Sequence, residues 1–227
     1  MYIAYSASRK LYPYLKATIT SLLEHNKVTK LFLLVEDDEL PLEIPCKHQI
    51  INVSGQQYFR QDGPNMNSIF TYMSMIRICL PDLIKVNKVI SLDVDTIICD
   101  SLKPIWDVDL ADKWLAWVPE HKGQYKPFGP KYWNFGVAVL NLAQMRKDGA
   151  VKTLVDDLNA VRFYCPEQDA LNLEAGAPKS VDLPMRYNES FCCGYTDDPA
   201  IVHYAGHPDW MDNHNMYRWE YLDRYMK

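Results

Sequence analysis

The sequence lacks the patterns that mark several large classes of protein. No stretch approaches the roughly 20 apolar residues of a membrane-spanning helix, and residues 1–5 show neither the basic flank nor the cleavage pattern of a signal peptide. The 24 Lys and Arg residues form no cluster and the net charge is -5, which argues against nucleic acid as a partner. The six cysteines include no Cys-x-x-Cys pair, so we expect reduced thiols. These absences predict a cytoplasmic protein without a transmembrane segment.

Several catalytic signatures are absent as well. No Gly-x-Gly-x-x-Gly and no Walker-type Gly-Lys-Ser/Thr loop occurs, so a dinucleotide dehydrogenase or a P-loop phosphotransferase would lack its phosphate cradle. The chain also has no Gly-x-Ser-x-Gly elbow, which makes a hydrolase with a serine nucleophile a weak candidate. If this protein binds a diphosphate, a cation must supply the positive charge that such loops would otherwise provide.

The composition is that of one folded domain. The chain has 227 residues, of which 48% are hydrophobic and 12% aromatic, enough to bury a large core. We predict a single domain over 1–227, with 211–227 as a C-terminal helical extension in which 216–227 has an amphipathic pattern. Peripheral contact with a membrane surface is one hypothesis for this extension, although Glu220 and Asp223 make it a weak basic anchor.

Strand-like and helix-like patterns alternate along the chain. The run 31–35 is continuously apolar, as expected of a parallel strand covered on both faces. The alternation predicts an α/β fold with a mostly parallel central sheet flanked by helices, and ligands at the carboxyl ends of its strands. Strands are predicted at 2–6, 31–35, 48–53, 88–91, 114–118, 137–141, 180–183 and 201–204, and helices from Pro13 to near Asn26, at 68–80 before Pro81, at 151–161 and at 167–175.

An acidic pair and a distant histidine predict a cation site. Asp93 and Asp95 directly follow the predicted strand 88–91, so both side chains leave the sheet on the same side. With His203 they would offer oxygen ligands and one imidazole, a set that suits Mn²⁺ or Mg²⁺ better than a closed zinc site. The alternative is that the pair forms a solvated turn and that His203 is an ordinary core or surface residue.

Four sequence blocks and one arginine stand out along the chain. They are Leu-Asp-Val-Asp-Thr-Ile-Ile-Cys-Asp-Ser-Leu-Lys-Pro-Ile-Trp at 92–106, Asn-Phe-Gly-Val-Ala-Val-Leu-Asn-Leu at 134–142, Glu-Gln-Asp-Ala-Leu-Asn at 167–172 and His-Tyr-Ala-Gly at 203–206, with Arg77 ahead of Leu80-Pro81. In this order the blocks resemble the family 8 retaining glycosyltransferases, and within that family the bacterial lipopolysaccharide galactosyl- and glucosyltransferases. The resemblance implies a single Rossmann-like, GT-A-type domain that binds a nucleotide sugar.

The resemblance implies transfer of a hexose, galactose or glucose, from a UDP-sugar to a glycan or glycolipid acceptor with retention of configuration. Asp93, Asp95 and His203 would hold Mn²⁺ or Mg²⁺. The catalytic residues would be Gln168, Asp93 and Arg77, with Gln168 near the far face of the donor sugar. The donor would contact Ala4, Tyr5, Ser6, Ser8, Arg77, Asp93, Val94, Asp95, Asn134, Gly136, Glu167, Gln168, Asp169, His203, Gly206 and His207.

The chain departs from the family pattern at both ends of the donor site. Ser8 stands where the family usually has an Asp that reads uracil, and His207 stands near the usual position of a phosphate-binding Lys. These departures leave open a nucleotide-sugar-binding protein that has lost transfer activity, or a metal-dependent nucleotidyltransferase.

Purely structural roles also stay open for several of the site residues. Arg77 could brace its helix, Asn134 and Gly136 could serve a turn, and Glu167 and Asp169 could stabilise a helix start.

Overall fold

A mixed sheet lies at the centre of the computed structural model, which describes residues 1–66, 68, 70–121, 128–205 and 218–226. The strands are β1 (Tyr2–Ala7), β2 (Lys30–Val35), β3 (His48–Asn52), β4 (Lys88–Leu92), β5 (Thr96–Ile98), β6 (Leu115–Pro119), β7 (Trp133–Asn141), β8 (Ser180–Asp182) and β9 (Ile201–His203). The helices are α1 (Tyr12–His25), α2 (Tyr72–Met75), α3 (Leu80–Leu83), α4 (Lys103–Trp106), α5 (Leu142–Lys147), α6 (Ala150–Ala160), α7 (Pro166–Glu174) and α8 (Trp219–Met226). Short 3₁₀ turns lie at Arg9–Leu11, Ile76–Cys79, Ala177–Lys179 and Met185–Tyr187.

The central sheet has the strand order β3-β2-β1-β4-β7-β6-β8 in the described part of the chain. Strand β7 runs antiparallel to both of its neighbours, β4 and β6, and the remaining pairings are parallel. This confirms the predicted α/β fold with a mostly parallel sheet. A second, small sheet pairs β5 with β9 in antiparallel fashion, and β5 was not predicted from the sequence.

Helices and loops cover both faces of the central sheet. Leu31, Leu33 and Val35 of β2 belong to one buried cluster, whereas Phe32 and Leu34 belong to the cluster on the opposite face. Because every second side chain of a strand points to the same face, a strand that is buried on both sides must be apolar throughout. The continuous apolar run therefore identified β2 correctly.

The predicted helix over 68–80 is wrong in its extent. The segment is broken into α2, the 3₁₀ turn Ile76–Cys79 and α3. Pro81 does not end a helix but lies in the first turn of α3, where a missing N–H costs nothing because the first N–H groups have no intrahelical partner. Among the described residues α2 begins after Thr71, whose hydroxyl accepts a hydrogen bond from the Met73 N–H.

The C-terminal helix α8 lies against α1. Arg224 Nη2 and the Tyr225 hydroxyl both contact Glu24 Oε2, at 2.9 and 2.7 Å. Tyr221, Leu222 and Tyr225 pack on a small apolar cluster that includes Ala17. Tyr221 and Tyr225 of this amphipathic helix therefore face the rest of the protein, whereas Trp219 is exposed. The described chain contains no helix that could cross a membrane. The predicted start of this extension, 211–217, and Lys227 lie outside the described residues.

Candidate functional site

The acidic loop that follows β4 is held by its neighbours through backbone groups. The Asp93 N–H donates to Gly136 O at 2.8 Å, and the Tyr204 N–H donates to Asp95 O at 2.9 Å. The Thr96 hydroxyl donates to Asp93 O at 2.6 Å. These bonds leave both carboxylates directed out of the loop at the carboxyl edge of the sheet.

Pairing of β5 with β9 brings the histidine to the acidic pair, because Thr96 lies opposite His203. His203 Nε2 lies 3.3 Å from Asp95 Oδ1 and 3.6 Å from Asp93 Oδ2. One potential ligand atom of each residue falls within 4.8 Å of the others. The structure therefore brings together the three residues that the sequence predicted as a cation site.

The donor set of this cluster suits a hard divalent ion. Two carboxylates and one imidazole match Mn²⁺ or Mg²⁺, and three protein groups leave coordination positions for ligands from a substrate. The other carboxylate oxygen of Asp93, Oδ1, forms an ion pair with Arg77 Nη1 at 2.8 Å. The Oδ2 atom of Asp93 therefore faces the cluster while Oδ1 is anchored, which is the arrangement expected of a positioned metal ligand.

The protonation of the cluster reflects its burial and its mixed charges. Burial raises the pKa of Asp93 to about 6, and the adjacent Asp95 carboxylate acts in the same direction against Arg77. Burial also acts to raise the pKa of Asp95, but His203 outweighs it and the net shift is downward. For His203, burial acts to lower the pKa, and the Asp95 carboxylate reverses this effect to give a net increase. Since metal ligands must be deprotonated, binding of a cation to this cluster would depend on pH.

Arg77 lies under the acidic loop and is 3% exposed. Besides its ion pair with Asp93, it donates from Nη1 to Phe135 O at 3.1 Å, and its Nη2 lies 3.4 Å from Glu167 Oε1. Its guanidinium also lies over the Phe135 ring, 4.5 Å from the centroid. Arg77 therefore links β4, β7 and α7 beneath the site, which goes beyond bracing its own helix.

Gly136 makes room for the histidine. A Cβ atom at this position would lie 2.0 Å from His203 Cε1, so no other residue type fits without moving the ring. The pairing of β7 with β6 is irregular at this point, since Ala138 lies opposite Trp117 but Asn134 lies opposite Val118. Irregularities of this kind often occur beside functional sites, and beside this one Phe135 contacts Arg77 while Gly136 lies against His203.

Asn134 lies beside Gly136, and three hydrogen bonds hold its side chain. Its Oδ1 accepts the Gly136 N–H at 2.9 Å and also Asn188 Nδ2 at 2.9 Å. Its Nδ2 donates to Glu120 Oε1 at 2.9 Å. The Asn-x-Gly block thus lies behind the candidate cation site, and a contact between Asn134 and the donor stays a prediction.

Gln168 lies in the first turn of α7 and faces the same network. Its Nε2 donates to Glu120 Oε1 at 3.2 Å and to the Tyr132 hydroxyl at 3.0 Å. Its Oε1 accepts the Phe135 N–H at 2.8 Å. An amide oxygen has two acceptor lone pairs, and among the described residues one hydrogen bond to this oxygen is recorded. A role of Gln168 at the donor sugar stays a prediction.

The acidic neighbours of Gln168 have clear structural partners. Asp169 Oδ2 accepts the backbone N–H groups of Tyr164 and Cys165, each at 3.0 Å, and its Oδ1 accepts the Tyr132 hydroxyl. Glu167 Oε2 accepts the Ser74 hydroxyl at 3.0 Å. Both carboxylates therefore stabilise the start of α7, and their predicted contacts with the donor stay predictions.

The predicted nucleoside contacts lie at the carboxyl end of β1. Tyr5 lies opposite Leu92 in the parallel pair of β1 and β4, so the residues after it approach the acidic loop. The Tyr5 side chain is buried against α1 and contacts Thr18, which leaves only its backbone for a ligand. Ser6 donates its hydroxyl to Met73 O.

The remaining predicted nucleoside residues differ in what the structure shows of them. Ser8 precedes the 3₁₀ turn Arg9–Leu11 and makes no side-chain cap to it. Ala4 and Val94 are buried. Gly206 and His207 lie outside the described residues.

Two polar residues of the site were not found by sequence reasoning. Glu120 receives hydrogen bonds from both Asn134 and Gln168, and Asn188 contacts the imidazole of His203 at 2.7 Å. Neither stands in a recognisable motif. The signal that could have identified Asn188 is weak, namely a polar residue after the turn Met185–Tyr187 and close to the strand that carries His203.

Comparison with solved structures defines the class of fold. The galactosyltransferase LgtC, crystallised with donor and acceptor sugar analogs, superposes with a TM-score of 0.79 at 21% identity, covering 100% of this chain and 95% of that chain. The glycosyltransferase GlyE of Streptococcus pneumoniae TIGR4 gives a TM-score of 0.76 at 19% identity, covering 99% and 59%. The chain therefore has the GT-A-type α/β fold.

Sequence comparison then identifies the family. The chain matches Glycosyl transferase family 8 over residues 2–210 and belongs to that family. General stress protein A of Bacillus subtilis (strain 168) is 26% identical over 193 residues, which cover 69% of this chain and 65% of that protein. Glycosyltransferase GlyA of Streptococcus pneumoniae serotype 4 (strain ATCC BAA-334 / TIGR4) is 26% identical over 218 residues, which cover 86% of this chain and 30% of that protein. The chain thus spans less than two thirds of either relative.

Proposed function

We propose that this protein is a metal-dependent retaining glycosyltransferase that moves a hexose, galactose or glucose, from a UDP-sugar to a glycan or glycolipid acceptor. The observation that carries this proposal is the cluster of Asp93, Asp95 and His203 at the carboxyl edge of the sheet, with ligand atoms within 4.8 Å. Family membership supports it, because the match includes both the acidic loop and β9. Location in the cytoplasm and contact with a membrane surface stay predictions.

The cluster would hold Mn²⁺ or Mg²⁺ against the diphosphate of the donor. When bound, such an ion supplies positive charge that stabilises the departing diphosphate. The protein's contribution is to keep the three ligands in place before the donor arrives. The ion pair of Asp93 with Arg77 and the backbone bonds of the acidic loop do this, since fixed groups require no reorganisation during the reaction.

Gln168 would lie near the face of the sugar opposite the diphosphate. Its Nε2 donates to the Glu120 carboxylate, which draws electron density toward the amide oxygen and suits that oxygen to stabilise positive charge at the sugar carbon. An amide is a poor nucleophile, so we favour attack by the acceptor hydroxyl on the same face from which the diphosphate leaves. The leaving phosphate oxygen then takes the hydroxyl proton, and the anomeric configuration is retained.

The direct test is turnover of UDP-galactose and UDP-glucose with and without Mn²⁺. Release of UDP is measured first with water as acceptor and then with galactose- and glucose-terminated oligosaccharides, and NMR of the product reports the anomeric configuration. We expect release of UDP that requires the cation, faster with an acceptor, and an α-linked product. Inversion of configuration would contradict the retaining assignment.

Two further measurements distinguish the two alternatives. A nucleotide-sugar-binding protein that has lost activity would show a thermal shift with the UDP-sugar and Mn²⁺ but no release of UDP. This alternative is motivated by Ser8 and by His207 at the places of the usual Asp and Lys. A nucleotidyltransferase would instead release pyrophosphate from UTP and a sugar 1-phosphate.

A further inference from the structure

Behind the metal cluster lies a line of buried side-chain amides. His203 Nδ1 contacts Asn188 Oδ1 at 2.7 Å, and Asn188 Nδ2 donates to Asn134 Oδ1 at 2.9 Å. The exposed fractions of Asn188, Asn134 and His203 are 0%, 5% and 4%. Buried polar groups of this kind need hydrogen-bond partners. Here Asn188 is the partner of His203, and Asn134 is the partner of Asn188.

The direction of every hydrogen bond in this line follows from one backbone group. The Gly136 N–H can only donate, and it donates to Asn134 at 2.9 Å. The atom of Asn134 that receives it is therefore the oxygen, and the NH₂ group of Asn134 faces the Glu120 carboxylate, an acceptor, at 2.9 Å. The backbone donor at Gly136 and the carboxylate of Glu120 therefore require the same orientation of the Asn134 amide.

The orientation of Asn134 in turn determines that of Asn188. Because Asn134 presents an oxygen, Asn188 must present its NH₂ group in return, and its own oxygen then faces His203. An amide oxygen only accepts, so His203 Nδ1 must carry a proton. In the neutral imidazole the lone pair is then on Nε2, the atom that faces Asp95 and Asp93.

We infer that Asn188 is a positioning residue that fixes His203 in the Nδ1–H tautomer and directs the Nε2 lone pair toward the cation site. The inference rests on the proposed function, because it assigns a role within the proposed metal site. The backbone supports it: the His203 N–H donates to Glu189 O at 2.8 Å, and the Glu189 N–H donates to Ile201 O at 3.0 Å. The residue after Asn188 is therefore bonded to β9, which fixes the distance between the amide and the ring.

The first experiment measures the affinity for Mn²⁺ without nucleotide, by calorimetry or by electron paramagnetic resonance of free Mn²⁺. In Asn188→Leu, a substitution of similar size without an acceptor, we expect affinity to fall about 10- to 100-fold, the usual effect of losing the partner of a ligating histidine. Asn188→Asp keeps an acceptor for Nδ1–H, and we expect it to retain more affinity than Asn188→Leu. A role in packing alone predicts the reverse order, because the aspartate places a buried charge beside the Asn134 oxygen.

Asn65→Leu is the matched control. Asn65 is 1% exposed, its Nδ2 donates to Leu158 O and Val161 O, each at 2.7 Å, and its Oδ1 accepts the Phe163 N–H at 2.9 Å. This variant also deletes a buried, fully bonded amide, but away from the metal cluster. We expect it to lose thermal stability as Asn188→Leu does while binding Mn²⁺ as the wild type does.

The second experiment reads the tautomer directly. Nitrogen-15 NMR of the histidine rings at an alkaline pH, with the His203 signals assigned by their absence in His203→Gln, should show the proton on Nδ1 in the wild type. A proton on Nε2 would overturn the inference, and so would wild-type Mn²⁺ affinity in Asn188→Leu. If the wild-type protein binds no Mn²⁺, the proposed metal site fails, and the tautomer measurement still decides the role of Asn188.

Discussion

Two ends of the same sheet edge carry the predicted ligand groups, and they differ in how firmly they are built. We call Asp93, Asp95 and His203 the metal end. The nucleoside end is the predicted contact residue Ser8 together with its neighbours Arg9 and Asp37, which form an ion pair and were not predicted to bind the donor. At the metal end, ion pairs and buried amides surround the groups. At the nucleoside end, Arg9 is 67% exposed in its ion pair with Asp37, and the hydroxyl of Ser8 caps no helix.

The two ends differ because a cation requires more precisely placed ligands than a nucleoside base does. A divalent ion requires several ligands at short and defined distances, and their positions must be held by a surrounding layer of partners. Recognition of a nucleoside base can be shared among a few hydrogen bonds, so one partner can be exchanged more easily. The departure at Ser8 falls at the nucleoside end, whereas the metal end keeps its complete set of groups.

The sharpest test of the metal end is Asp95→Asn. We expect Mn²⁺-dependent turnover to fall about 10³-fold, because a bound ion contributes several kcal/mol to the transition state and each 1.4 kcal/mol is tenfold in rate. The fold should persist, since Asp95 is held mainly through its backbone carbonyl. Turnover of UDP-sugars and circular dichroism of the same samples are the measurements. Asp62→Asn, an exposed acid paired with Arg60, is the control, and full metal-stimulated activity in Asp95→Asn would refute the assigned ligand.

Gly136→Ala should have the next largest effect. The added methyl would lie 2.0 Å from His203 Cε1, so the ring must move away from the aspartates. We expect Mn²⁺ affinity to fall about 10- to 100-fold and the protein to lose about 1–3 kcal/mol of unfolding free energy through overpacking, measured by calorimetry and urea unfolding.

Gly55→Ala is the control for this steric prediction, because nothing lies within 4 Å of a Cβ atom at that position. It should leave both quantities unchanged. Equal effects of the two substitutions would show that the ring and Gly136 are not tightly packed in solution.

Ser8→Ala tests the nucleoside end and should have a smaller effect. If Ser8 contributes one neutral hydrogen bond to the base, UDP affinity in the presence of Mn²⁺ should fall about 2- to 10-fold, since such a bond contributes about 0.5–1.5 kcal/mol. Affinity for Mn²⁺ alone should not change, because Ser8 is not among the cation ligands. Isothermal titration with UDP, and separately with Mn²⁺, distinguishes the two ends. A large loss of Mn²⁺ affinity would mean that the ends are not independent.

The smallest effect is expected at the exposed pair of Arg9 and Asp37. Exposed ion pairs contribute little and are screened by salt, so Arg9→Gln should leave the midpoint of urea unfolding close to that of the wild type. Urea unfolding at low and high salt is the measurement, with Asp37→Asn completing a double-mutant cycle. A coupling energy comparable to that of a buried pair would show that the nucleoside end is held as firmly as the metal end.

The sequence predicted well those parts that depend on local pattern. Strands such as β2 were identifiable because burial on both faces requires an apolar run, and the strand-end position of Asp93 and Asp95 followed from the residues before them. The proximity of His203 was a hypothesis with an ordinary core or surface histidine as its alternative, because β5 is too short to be recognised and its pairing with β9 spans about half of the chain.

The parts that were missed depend on tertiary contacts. Asn188 and Glu120 have no motif, since their roles arise from side chains that are distant in the sequence. The break of the helix predicted over 68–80 has a similar origin: the apolar spacing continues, but Arg77 must turn toward Asp93 and Phe135, and the backbone adopts a 3₁₀ turn there.

The reversed direction of β7 determines where the protein can acquire new specificity. Leu92 at the end of β4 lies opposite Val137, whereas Lys88 at its beginning lies opposite Asn141. The site is therefore supplied by the segment that enters β7, not by the one that leaves it. Insertions ahead of Trp133 would lie at the edge that carries Asp93 and Asp95, while insertions beyond Asn141 would lengthen the opposite edge of the sheet.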